Sequence, residues 1–314
     1  TPLEDIEKYI GTLRSYQDII SLSRPSSMSD VIQRTCDIVV SKRKDNDLVS
    51  YCMPKIRDEV HIFRKQVHVI GADSGIGKTA ICLSFIQHQY NAGVNSVYFC
   101  CESTSDELFH RLCCQSATCS YMNFIKGFPY GREEPFKQAI MDFGKYPERI
   151  TLIGKDNYKN SIESIDYTLW NLSQAQRIDM VYIDYLQNTS IGGRFGKQYE
   201  MYEAVINAIG DLAVKYNCAI TVISQLNRER EADSVPRMQN LRGASAIENV
   251  AHIISFLYMD KEVKKDTERR IKPVCFYSDK TRLIKSFNIK LKYDSYCGFF
   301  HDEFEDVRFP WQTK

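Results

Sequence analysis

Residues Gly71-Ala72-Asp73-Ser74-Gly75-Ile76-Gly77-Lys78-Thr79 set a lysine and a threonine behind a glycine-rich stretch. The apolar run Val67-His68-Val69-Ile70 comes directly before them. The chemistry open to such a segment is the holding of a nucleoside triphosphate. Glycines let backbone N–H groups curl around phosphates, a lysine reaches the β and γ oxygens, and a threonine hydroxyl holds Mg²⁺. Ala72, Asp73, Ser74, Gly75, Ile76, Gly77, Lys78, Thr79 and Ala80 are therefore the expected lining for ATP. The first glycine position of the strict pattern is Ala72, which costs little if that residue does not need positive φ. The helix expected from Ala80 to about Tyr90 would point its positive end at the same anion.

Three further residues end apolar runs and so point to the same crevice. Asp184 follows Met180-Val181-Tyr182-Ile183 and is placed to hold Mg²⁺ with Thr79; as a bare strand-end aspartate it would only cap the next turn. Tyr185, not a second acid, follows it, so a base for water attack must come from elsewhere. Glu102, after Val97-Tyr98-Phe99-Cys100-Cys101, is the candidate; alternatively it merely precedes a helix start at Ser103-x-x-Asp106. Gln225, in Ser224-Gln225-Leu226-Asn227-Arg228, carries an amide that could donate to the γ-phosphate, or is a polar loop residue.

Strands alternating with helices are what would bring these residues together. Val67–Ile70, Ser96–Cys100, Ile150–Ile153, Met180–Ile183, Ala219–Ile223 and Ile253–Tyr258 read as strands. From about Tyr199 to Tyr216, Tyr202, Val205, Ile206, Ile209, Leu212 and Ala213 form one apolar helical face. The order implies an α/β fold, a mostly parallel sheet flanked by helices. Val274–Tyr277 and Phe287–Tyr293 read as a late β-hairpin around Asp279-Lys280-Thr281-Arg282. Ile6, Ile10 and Leu13 suggest a helical lead-in. Ser29-Asp30 would cap a second helix carrying Val31, Ile32, Cys36 and Val39, and the charged run 42–47 reads as a solvated turn. The expected division is a helical lead-in over 1–60, an ATPase domain over 61–305 and a C-terminal tail over 306–314.

Composition excludes several classes. At 314 residues and 43% hydrophobic, the chain can bury a large core. A net charge of +1 provides no global field toward nucleic acid or membrane, so any such contact must come from local basic loops. No apolar run approaches about 18 residues, so no membrane partner is expected. Eleven cysteines fall mostly within apolar patterns, as buried small side chains do in a reducing compartment.

Ile183-Asp184-Tyr185-Leu186-Gln187, Ser224-Gln225-Leu226-Asn227-Arg228, Leu241-Arg242-Gly243-Ala244-Ser245-Ala246-Ile247-Glu248 and Lys280-Thr281-Arg282 follow the phosphate loop in that order. Together they resemble the C-terminal motor of DnaB-family, RecA-like hexameric replicative helicases. The resemblance covers roughly residues 50–300, and the loop and Leu-Arg-Gly segment also resemble the phage primase-helicase branch. It implies a RecA-like phosphate-loop NTPase core and ATP bound between subunits of a homo-hexamer. It implies a basic finger, Lys280 and Arg282, reaching a neighbour's site; otherwise these are solvated hairpin charges. It also implies single-stranded DNA threaded through the ring in the 5′→3′ sense. DNA would be gripped by a loop over 189–197, with Arg194, Gly196 and Lys197, and by a second loop with Arg242, Gly243 and Ser245. Members usually carry an acid after the arginine, where this chain has Gly243.

A primase and a helicase loader are the partners this family implies, and the cytoplasm of a bacterial or phage-infected cell, or an organelle matrix, the place. About 60 residues ahead of the motor would suffice for a linker helix but not for a collar domain as well. The rival readings are a recombinase-like or clock-type ATPase that assembles without unwinding, and a non-motor accessory ATPase of replication.

Overall fold

The computed structural model describes residues 27–29, 31–33, 36, 48–128, 133–193, 195–227, 235–266 and 268–302. The chain divides into two compact units, Thr1–Asp47 and Leu48–Lys314. In the first, residues 28–29, 31–33 and 36 are helical. The Val31 N–H donates to the Ser27 carbonyl at 3.1 Å, so this helix begins ahead of Ser29, its expected cap. Ile6, Ile10, Leu13, Asp30, Val39 and the charged run 42–47 lie outside the described residues.

The second unit runs β1 (Leu48–Val49), α1 (Pro54–Glu59), β2 (Ile62–Phe63), β3 (Val67–Ala72), α2 (Lys78–Ala92), β4 (Ser96–Cys100), α3 (Ser105–Ser116), α4 (Tyr121–Ile125) and α5 (Glu134–Phe143). It continues through β5 (Ile150–Ile153), α6 (Ile162–Ala175), β6 (Met180–Asp184), α7 (Gln198–Lys215), β7 (Ala219–Gln225), α8 (Ala244–Val250) and β8 (Ile253–Tyr258). The last elements are α9 (Lys261–Lys265), β9 (Ile271–Thr281), β10 (Asn288–Asp294) and β11 (Phe299–Asp302). Among the described residues nine strands form one sheet in the order β11-β10-β9-β8-β3-β7-β6-β4-β5. The six from β5 to β8 are parallel to one another, and β9, β10 and β11 are added antiparallel.

Alternation along the parallel strands divides the core. Ile70, Tyr98, Tyr182 and Ile223 face one layer, with Phe85 of α2 and Leu108 of α3. Val69, Phe99, Val181 and Val222 face the other, with Leu169 of α6 and Ile209 of α7. Both faces are covered, so these strands read as unbroken apolar runs. Helix α2 lies between the sheet and its neighbours and buries Ile81 to Ile86 consecutively. It ends at Gly93, whose φ of 79° suits a glycine C-cap.

Residues 48–60, expected in the lead-in, pack with the larger unit. Tyr51, Met53 and Ile56 are fully buried in its core, and β1 pairs antiparallel with β2. The anchor is polar. The Tyr51 hydroxyl is 2.6 Å from His68 Nδ1 and 2.7 Å from Thr221 Oγ1, and His68 Nε2 is 2.7 Å from Ser255 Oγ. This network ties the segment to β3, β7 and β8 and satisfies polar groups that would otherwise be buried alone. The late hairpin also differs from expectation. β9 runs on to Thr281, so Lys280 sits on a strand end and not in the turn, and β11 adds a third antiparallel strand.

Burial lowers the His68 pKa from 6.5 to about 3, and that of His88 to about 4. The unfolded chain therefore takes up these protons first. Stability is therefore full above the ordinary histidine range and is lost progressively from there down to the folded values, about 4 and about 3. Unfolding free energy measured by denaturant titration should fall between about pH 7 and about pH 5, by up to ~1.4 kcal/mol per pH unit for each histidine. His68→Gln should flatten that slope, and an unchanged slope would contradict the buried neutral imidazole.

Candidate nucleotide site

The expected phosphate loop lies where β3 meets α2. Gly75 and Gly77 have φ of 79° and 103°, which a side chain would strain. Ala72 is a β3 residue in register with Gln225, and it is not among the positive-φ residues. Gly71 is a glycine for a different reason: a Cβ there would stand 2.5 Å from Phe256 and 2.9 Å from Leu241. Gly77 leaves room for Phe300 of β11, 3.1 Å from where its Cβ would be. Lys78 opens α2, and its ammonium donates to the Asp73 carbonyl at 3.4 Å. Burial lowers the Lys78 pKa; the charges of Asp184, Glu102 and Asp73 raise it, and Lys264 lowers it again.

Asp184 ends β6 and is almost wholly buried. Its carboxylate accepts from Thr79 Oγ1 at 2.7 Å and from the Tyr98 hydroxyl at 2.8 Å, so it turns toward the loop and does not cap the turn after it. Burial raises its pKa, the Thr79 and Tyr98 hydrogen bonds lower it, and Glu102 raises it. Two hard oxygens side by side suit a magnesium ion. Among the described residues no cluster of three or more His, Cys, Asp or Glu could hold a metal by itself. Such a sparse donor set fits Mg²⁺, which keeps waters and substrate phosphate oxygens in its shell.

Glu102 lies just beyond β4 and is exposed. The neighbouring helix is capped one residue later than expected, by Thr104 in a capping box with Glu107, so Glu102 is free of that duty. Gln225 ends β7 half-buried, its backbone N–H held by Gln187 Oε1 at 3.0 Å. The parallel register brings Lys78, Thr79, Glu102, Asp184 and Gln225 to one edge of the sheet.

Lys280 and Arg282 lie at the other edge. Lys280 pairs with Ile254, three residues before the Leu257 that pairs with Ala72. The Arg282 N–H donates to the His252 carbonyl at 3.0 Å. At about 3.3 Å per residue these positions are roughly 10 and 17 Å below the start of the phosphate loop. Both side chains point to one face and donate to the last carbonyls of α8, Lys280 to Glu248 and Arg282 to Asn249. Neither contributes to the phosphate loop of its own chain.

Of the expected DNA-gripping residues, Arg194 lies outside the described residues. The Gly196 and Lys197 N–H groups donate to Glu200 at 2.9 and 3.3 Å, at the start of α7. Gly243 caps α8 with φ 77°, and a Cβ there would stand 3.4 Å from Tyr202 Cβ. Arg242 is half-buried beside it and Ser245 exposed. Tyr202 is five residues beyond Lys197, about 7.5 Å along α7, so the two loops lie against the same end of that helix.

Three features escaped sequence reasoning. Tyr98 sits in an apolar run; the available signal was that a tyrosine hydroxyl in a strand covered on both faces needs a partner. Lys264, whose ammonium donates to the Ser74 carbonyl at 2.6 Å, hides in a charged segment that looks solvated. A cavity of about 280 Å³ opens beside Thr79 and Ala80, lined by Arg111, Tyr121, Tyr293 and Tyr296 among others. It depends on α3, α4 and the β10–β11 turn converging, which no local pattern announces.

Residues 61–302 match the family model of the DnaB-like helicase C-terminal domain. The chain is 25% identical over 202 residues to the replicative DNA helicase DnaB of Treponema pallidum (strain Nichols), covering 62% of this chain and 43% of that protein. It spans about half the length of the curated relatives it matches. A solved structure of an isolated ATPase domain superposes with a TM-score of 0.76 at 18% identity, over 89% of this chain and 99% of that one. A DnaB-like replicative helicase, described with its interactions with primase, gives 0.73 at 18% identity, over 95% and 77%. At that identity the structural likeness is one of fold, the RecA-like α/β architecture.

Gly71→Ala should destabilise the protein by about 1–3 kcal/mol in chemical denaturation, because the methyl group overpacks against Phe256. Adding Phe256→Leu should recover part of the loss. A Gly71→Ala protein as stable as the parent would contradict the close approach.

Proposed function

We propose that this chain, which belongs to the DnaB-like helicase C-terminal domain family, is the ATP-hydrolysing motor of a replicative DNA helicase that moves along single-stranded DNA as a ring. Six subunits and 5′→3′ movement are what the family likeness implies. The observation that carries the reading is the division of charged groups between two edges of the sheet. Phosphate-loop, acid and amide residues gather at one edge, and the paired cations Lys280 and Arg282 stand at the other. A chain built this way offers its finger to a neighbour's nucleotide.

In this mechanism the N–H groups of the 73–77 arc and the Lys78 ammonium bind the triphosphate. Thr79 and Asp184 would hold Mg²⁺, which would supply positive charge to offset that of the triphosphate. The Glu102 carboxylate orients water and takes its proton. The Gln225 side-chain amide donates to the γ-phosphate. Lys280 and Arg282 of the adjacent subunit offset the charge that grows on the transferring group. The aromatic cavity beside Thr79 suits the nucleobase. The loops ending at Lys197 and Gly243 share α7, and this supports one DNA path gripped by both. Primase and a loader are the expected protein partners, and the cytoplasm of a bacterial or phage-infected cell, or an organelle matrix, the expected place.

Single-stranded DNA should raise the ATPase rate several-fold, and Lys78→Ala should lower kcat/KM by about 100-fold or more. Phosphate release measured with and without DNA checks both. Equal hydrolysis in the two conditions would count against a translocase.

A further inference from the structure

Helix α9 joins β8 to β9 and brings Lys264 to the phosphate loop from 190 residues away. The side chain is half-buried. Its ammonium donates to the Ser74 carbonyl at 2.6 Å, and its stem passes Gly75, with Cε 3.7 Å from where a Cβ would be. The base is itself held: the Lys264 carbonyl accepts from the buried Lys272 ammonium of β9 at 3.2 Å. Asp260 caps α9 by accepting from the Glu262 N–H at 2.9 Å. Lys264 is also close enough to Lys78 for the two cations to oppose each other. Such a pair becomes favourable when an anion lies between or beside them.

We propose that Lys264 is a positioning residue of the nucleotide site, one that pins the outer side of the phosphate loop and adds a second positive charge at its rim. The inference rests on the loop being a triphosphate site. Carbonyl and N–H groups of a peptide unit point in opposite directions. Holding the Ser74 carbonyl outward therefore keeps the following Gly75 N–H turned into the arc. Gly75 and Gly77 make this segment the part of the loop with most conformational freedom to lose on binding. A restraint present before binding lowers that loss. Its added charge favours a triphosphate over a diphosphate, because the triphosphate carries more negative charge.

Steady-state ATPase kinetics, with equilibrium binding of ADP and a non-hydrolysable ATP analogue, tests this in the full chain and its Lys264→Met and Lys264→Arg variants. Methionine keeps most of the aliphatic stem and removes the charge. Lys264→Met should raise the KM for ATP roughly tenfold with kcat within about twofold, as for loss of a charge-assisted hydrogen bond. The analogue should lose more affinity than ADP. Lys264→Arg should restore KM to within about threefold, and nucleotide-free melting temperatures should match across the three proteins. An unchanged KM in Lys264→Met would overturn the proposal. So would a variant that melts early, loses kcat as well and is not rescued by arginine, since the contact would then be merely structural. A parent protein that binds no ATP would overturn the underlying reading of the loop, a result distinct from either.

Discussion

A carboxylate that is 4% exposed needs partners for its charge, and Asp184 finds them across the mouth of the phosphate loop. It accepts from Thr79 and from Tyr98 and lies in the field of Lys78. The surrounding structure can be read as the set of constraints that keeps these partners in place. Thr79 is fixed because α2 starts at Lys78, and α2 starts there because Gly77 takes a left-handed conformation. The loop's entry is fixed because Gly71 lets β3 pass against Phe256. Phe300 and Tyr293 from the antiparallel strands fill the space under Gly77. An acid buried in this way without compensation would cost several kcal/mol, so loop, helix start and strand end are energetically one unit.

The second constraint is topological. In a parallel sheet all strands reach the same edge with their carboxyl ends, so groups on different segments converge there. The antiparallel β9 returns to the opposite edge and carries Lys280 and Arg282 with it. A single chain of this architecture cannot close both edges around one ligand. In the proposed ring, adjacent copies would bring these two edges together. Lys264 and Lys272 form a short path from the phosphate loop through α9 into β9, the strand that carries Lys280.

The parallel strands were legible because burial on both faces leaves little room for polar residues. Their ends were less so. The apolar run of β7 stops at Ile223 and that of β6 at Ile183, whereas the strands continue to Gln225 and Asp184. Backbone pairing goes on after side-chain burial ceases to require apolar residues. Segment 48–60 packs with the larger unit because it docks through Tyr51 onto His68, a histidine within an apolar strand whose partners lie far away in sequence. β11 escaped because His301 and Asp302, polar types, are buried there. Within the site, the residues that end strands could be picked out by position. Tyr98, Lys264 and the aromatic cavity could not, since each exists only through contacts between distant segments.

The central claim is that one nucleotide site is built from two copies of the chain. Mixing tests it most directly. Arg282→Ala and Glu102→Gln proteins, each inactive alone, are combined and DNA-stimulated ATP hydrolysis is measured against the mixing ratio. The account predicts partial recovery, greatest near equal proportions, because an interface pairing an intact Glu102 with a neighbour's intact Arg282 is complete. Absence of recovery at every ratio, with the two proteins shown to co-assemble, would contradict it.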